Sequence, residues 1–69
     1  MFLVPKSSEI RERRAQHGLS RFALSKKAGL GSYAVARLEE KAISCHPLRA
    51  QALANALECT VEDIFETKQ

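Results

Sequence analysis

Residues 18–39 read Gly18-Leu19-Ser20-Arg21-Phe22-Ala23-Leu24-Ser25-Lys26-Lys27-Ala28-Gly29-Leu30-Gly31-Ser32-Tyr33-Ala34-Val35-Ala36-Arg37-Leu38-Glu39, and this stretch decides the fold. Ser20 is a side chain suited to cap a helix, and Arg21–Ala28 follow it without a breaker, so a helix is expected there. Gly29 ends it by supplying a backbone conformation, φ > 0, that other side chains resist. After Leu30 and Gly31 the helical spacing resumes over Ser32–Glu40, with Val35 and Leu38 on one face. Ala28 is small enough for two helices to approach closely, and Leu24, Leu30, Val35 and Leu38 pin the second at a fixed angle. Positions 32, 33, 36 and 37 are then turned away from the core.

Working outward, the apolar spacing stays helical throughout, with no strand-like alternation. Ser7 and Ser8 offer a cap for a first helix over Glu9–His17, which Gly18 stops. Glu9 and Arg13 in that helix stand at i,i+4 in the favourable order. Lys41–His46 reads as a loop. Pro47 suits the first turn of a fourth helix reaching Leu57, with Ala50, Leu53, Ala54 and Leu57 on its apolar face. Thr60-Val61-Glu62-Asp63 has the form of a capping box and opens a short fifth helix with Ile64 and Phe65. The expected fold is therefore all-α, five compact helices. Its expected core is Ile10, Leu19, Leu24, Ala28, Leu30, Val35, Leu38, Leu53, Ala54, Leu57, Val61, Ile64 and Phe65. The break between the second and third helices has the length of a helix-turn-helix. Residues 1–7 read as an arm and 8–66 as the domain. The apolar Phe2-Leu3-Val4 of the arm fits a disordered tail, a cover for the core, or a contact with a partner chain.

Sixty-nine residues allow one small core and leave no room for an elaborate active site. The net charge of +3 is unevenly spread. Residues 1–38 carry eight Lys and Arg against two Glu, a net of +6, whereas residues 39–69 carry three against six acids, a net of −3. A basic half beside an acidic half fits a polyanionic partner on one side, and a mixed solvated surface equally. Cys45 and Cys59 make no disulfide framework, the apolar start is too short for a signal peptide, and no run approaches a membrane span. A reduced, cytoplasmic protein is expected. Cys45-His46 sets a nucleophile beside a base, but sequence neighbours seldom face each other and no orienting acid is evident. The spacing of His17, Cys45, His46 and Cys59 fits no zinc site. No enzyme activity, metal, cofactor or small-molecule ligand is expected.

Arg14, Gly18, Leu19, Ser20, Leu24, Ala28, Gly29, Leu30, Val35, Leu38 and Glu39 fall without a gap on the pattern of one family. The segment resembles the helix-turn-helix of the phage repressor/Cro family, also called XRE-like. Residues 50–57 and 61–65 resemble that family's fourth and fifth helices, so the likeness covers about residues 8–66. It implies a lambda-repressor-like domain with the second helix at about 21–28 and the recognition helix at about 32–40. By the same resemblance Ser32, Tyr33 and Arg37 take the base-reading positions. Ser20, Arg21, Lys41 and Ser44 take the phosphate-binding ones, and Arg14 and Glu39 form a structural ion pair. Arg37 is the candidate for a bidentate contact to guanine. Arg21 stands where the family often has Gln, Gly31 where Ser or Thr caps the recognition helix, and Phe22 where a polar residue is usual. Lys41 and Glu58 occupy glycine positions. The resemblance implies a transcriptional regulator, a repressor of phage, mobile-element or bacterial origin, reading the major groove of double-stranded DNA as a homodimer. The alternatives are a helix-turn-helix module binding another protein, as an anti-regulator or antitoxin does, and an excision-type DNA-architectural factor.

Overall fold

The computed structural model describes residues 2–41 and 45–68. In chain order they form β1 (Phe2–Pro5), α1 (Ser7–Gln16), α2 (Arg21–Lys27), α3 (Ala34–Lys41), α4 (Pro47–Ala56), α5 (Val61–Ile64) and β2 (Phe65–Lys68).

Three of the helices stop in the same way. At the end of α1, Gly18 N–H bonds Ala15 O at 3.0 Å and Leu19 N–H bonds Arg14 O at 3.0 Å. At the end of α2, Gly29 N–H bonds Lys26 O at 3.0 Å and Leu30 N–H bonds Ser25 O at 2.9 Å. At the end of α4, Glu58 N–H bonds Asn55 O at 3.1 Å and Cys59 N–H bonds Ala54 O at 3.0 Å. This paired pattern is the Schellman motif, which needs a left-handed residue just past the helix. Gly18 and Gly29 supply it at φ +65° and +74°, and Glu58 adopts it at φ +56° despite its Cβ. A non-glycine residue there costs about 1 kcal/mol. Lys41, the other residue at a family glycine position, ends α3 without a positive φ.

The helix starts differ more from expectation. Ser20 Oγ accepts from Ala23 N–H at 3.0 Å, and His46 Nδ1 accepts from Leu48 N–H at 3.1 Å just ahead of Pro47. Thr60 N–H donates to Asp63 Oδ2 at 3.0 Å at the start of α5. That bond is the main reason the Asp63 carboxyl is held below the usual carboxylate range. Ser7, expected as a cap, is instead the first residue of α1, and its hydroxyl donates to Leu38 O at 3.2 Å. It ties the start of α1 to α3. The third helix begins at Ala34 rather than Ser32; Gly31, which would cap a helix from Ser32, has no side-chain oxygen to offer.

A two-stranded ribbon adds to the helices what apolar spacing did not reveal. β1 and β2 pair antiparallel, with Leu3 opposite Thr67 and Pro5 opposite Phe65. The other edge of β1 is met by Cys45, whose N–H bonds Leu3 O at 2.8 Å. Residues 1–7, read from the sequence as an arm, thus contribute a strand and the start of α1, and Leu3 is buried in the core. Strands this short leave little alternation to read, and their pairing joins opposite ends of the chain.

The core joins Ile10, Leu24, Val35, Leu38, Leu53, Ala54, Leu57, Ile64 and Phe65, with Leu3, Cys45, Ala50 and Ala56 added to the expected set. Leu19, Ala28 and Val61 pack against it half-buried. Leu30, expected inside, is half-buried at the edge of a groove between the turn and α4. Among the described residues no helix is long and apolar enough to cross a membrane.

Candidate nucleic-acid interface

The turn from α2 into α3 holds up the side chains that matter. Gly29 reverses the chain, Ala34 N–H bonds Gly31 O at 3.0 Å, and Arg37 N–H bonds Tyr33 O at 3.1 Å as α3 winds up. Tyr33 stands 73% exposed and Arg37 is exposed one turn later. Ser32 is half-buried between Gly31 and Tyr33, outside α3 proper. The three line an open groove together with His46 and Arg49 from the start of α4.

The charges on this side differ from those elsewhere. Arg11 lies 3.9 Å from Glu39, Arg13 lies 4.0 Å from both Glu9 and Asp63, and Arg14 meets Glu39 at 2.8 Å. Arg37, Arg49, Lys27 and Lys41 make no ion pair with a carboxylate among the described residues. Lys26 places its ammonium 5.8 Å from the ring centre of the half-exposed Phe22, a cation–π contact that also accounts for the apolar residue at that position. None of α2, α3 and α4 has an acid in its first turn, whereas α1 has Glu9 and α5 has Glu62 and Asp63. Arg37 and Arg49, in the first turns of α3 and α4 where no carboxylate stands, make a surface that attracts anions.

The expected phosphate-side residues are placed as follows. Ser20 is exposed at the start of α2 with its oxygen engaged in the cap. Arg21 is exposed too, and its Nη1 lies 3.0 Å from Glu40 Oε1, linking α2 to the far end of α3. Such a solvent-exposed pair is worth at most about 1 kcal/mol and yields readily to a phosphate. Lys41 is exposed at the end of α3. Ser44 lies outside the described residues.

Arg14 and Glu39 brace the assembly from behind. Arg14 Nε and Nη2 donate to the two carboxylate oxygens of Glu39 at 2.8 and 3.2 Å, and Nη1 donates to Leu19 O at 3.0 Å. One guanidinium therefore holds α1, the α1–α2 turn and the end of α3 together. The Glu39 side chain is only 3% exposed, so its charge depends on this partner and on Arg11.

Arg49 and His46 were missed by the reading of the sequence. Pro47 marks the start of α4 and so puts Arg49 in its first turn. Nothing in the loop before it tells which side of α3 that turn lands on. Ser25 was missed as well, a polar residue that is fully buried where α2 meets α3.

This arrangement can grip a backbone of phosphates and present a tyrosine and an arginine to a groove. The sequence profile of the Cro/C1-type HTH DNA-binding domain matches residues 9–69. The chain belongs to this family. As a Cro/C1-type domain it is a DNA-binding transcription regulator. Two solved structures share the architecture. One is the restriction-modification controller protein C.AhdI from Aeromonas hydrophila, 26% identical, with a TM-score of 0.75 over 83% of this chain and 86% of that one. The other is the P22 c2 repressor protein in complex with synthetic operator 9T, 27% identical, with a TM-score of 0.73 over 81% of this chain and 85% of that one. No curated protein matches the chain significantly.

Proposed function

We propose that the chain is a sequence-specific repressor that binds double-stranded DNA as a homodimer, laying α3 in the major groove. Tyr33 and Arg37 read base edges, with Ser32 beside them. Ser20, Arg21, Lys41 and Ser44 hold the phosphates on either side. The observation that carries this reading is the exposure of Tyr33 and Arg37 with no side-chain hydrogen bond or ion pair among the described residues, in a domain whose other arginines on α1 and α2 are ion-paired. An arginine so placed matches the acceptor pair of guanine in a groove about 12 Å wide. That the P22 c2 repressor protein is in complex with a synthetic operator supports DNA as the partner of a domain of this shape.

Selection of bound duplexes from random DNA tests the proposal. The expected product is a near-palindromic site with half-sites about 10 base pairs apart, the spacing two copies of such a helix require. Binding of the selected duplex should fall by about three to five orders of magnitude between 50 and 200 mM salt if a dimer neutralises roughly 6–10 phosphates. A selected site without two-fold symmetry rejects the dimer. A chain that enriches no duplex at low salt rejects DNA reading and leaves a protein partner as the target of this surface.

A further inference from the structure

Ser25 is fully buried, and its side chain and carbonyl both take part in hydrogen bonds where α2 meets the turn and α3. Its hydroxyl donates to Arg21 O at 2.8 Å, within its own helix. The same oxygen accepts from Val35 N–H at 3.1 Å, in the first turn of α3. Its carbonyl accepts from Leu30 N–H at 2.9 Å, beyond the Gly29 turn. One residue thus holds the end of α2, the turn and the start of α3.

A helix start leaves amides that need acceptors, normally supplied by a Ser, Thr, Asp or Asn just ahead of it. Tyr33, immediately before Ala34, cannot cap α3, and the Ser32 hydroxyl before it makes no hydrogen bond to the helix among the described residues. The Val35 amide is buried, so water does not serve it either. A hydroxyl from the neighbouring helix takes the place of the missing local cap. The direction of the hydrogen bonds fixes this arrangement. A hydroxyl has one proton, and giving it to Arg21 O leaves the oxygen's lone pairs facing Val35 N–H.

We infer that Ser25 is the positioning residue of the reading surface, capping α3 from α2 and so setting the angle at which Tyr33 and Arg37 are presented relative to the phosphate-gripping start of α2. The inference rests on the DNA-reading proposal for its functional consequence, though not for the cap itself. Loss of the hydroxyl leaves a buried amide unbonded. The first turn of α3 then shifts or frays, and base reading suffers while attraction to the phosphate backbone does not.

The test is Ser25→Ala in the full chain, compared with the unaltered protein on the selected duplex and on a random duplex, together with amide hydrogen exchange. Expected is a loss of about tenfold in affinity for the selected duplex, with affinity for the random duplex kept within about twofold. Exchange at Val35 should speed up about tenfold more than exchange at Leu57 in α4. Equal loss on both duplexes, or no change at Val35, overturns the inference. Should the variant fail to fold, the unaltered protein decides: a Val35 amide protected like those inside α4 supports the cap, and one exchanging like a free amide removes it. A chain that binds no duplex defeats the DNA-reading proposal separately, since the exchange comparison needs no DNA.

Discussion

Arg37 stands one turn beyond Tyr33 with no carboxylate within ion-pair distance among the described residues, whereas Arg21 is already paired with Glu40 at 3.0 Å. The two arginines should therefore behave differently on removal. Arg37→Ala is expected to cost about 1–3 kcal/mol on the selected duplex and to blur one base position. Arg21→Ala is expected to weaken all duplexes alike and to flatten the salt dependence. Repeating the selection with each variant checks this, and a uniform loss from Arg37→Ala contradicts its base-reading role. At this scale the sequence was readable wherever one residue has one physical use. Gly18 and Gly29 take the left-handed backbone, Ser20 caps, and Pro47 opens a helix. It was opaque wherever a side chain's use depends on a neighbour from another element. Ser7 and Ser25 both look like surface hydroxyls or caps, yet both bond across to the third helix.

Among the elements, α1 and α3 are joined by a guanidinium and a carboxylate of unequal exposure: 18% for the Arg14 side chain and 3% for Glu39. The inequality predicts an asymmetric mutational cost. Arg14→Met strands a buried carboxylate with only Arg11 at 3.9 Å to answer it, and should cost about 3 kcal/mol. Glu39→Gln keeps an acceptor for Arg14, which reaches water at its edge, and should cost about 1–2 kcal/mol. Urea unfolding of both variants measures the difference, and equal costs would show that the pair is not set by the burial of Glu39. Five helices and their order followed from apolar spacing, but the partnership of Arg14 with Glu39 did not. It came from family resemblance, since two charges so far apart in sequence carry no local sign of meeting. The late start of α3 was also hidden, because the amide that Ser25 caps belongs to a turn that exists only once the helices have docked.

For the molecule as a whole, the ribbon closes the core that the helices leave open. Leu3 is only 7% exposed, and its strand is held by β2 on one side and by Cys45 on the other. Leu3→Ala should therefore destabilise the whole domain by about 2–4 kcal/mol, as a core leucine does, rather than the few tenths expected of a tail. Burial pushes the Cys45 thiol above its ordinary range, so little of it is thiolate at neutral pH. Alkylation of Cys45 should be slow in the native chain and faster in Leu3→Ala. A variant as stable as the original, with Cys45 no more reactive, would mean that residues 2–5 only lie against the domain.

The pairing of Phe2 with Lys68 also brings the first and last strands of the domain to one place. A short glycine-rich bridge between them would turn the chain into a ring without disturbing the ribbon, and new openings could then be cut at exposed bends such as that after α1. Because the loop so closed spans nearly the whole domain, circularisation would restrict the denatured ensemble far more than the native one. The gain in stability would come from a state that none of the contacts described above belongs to.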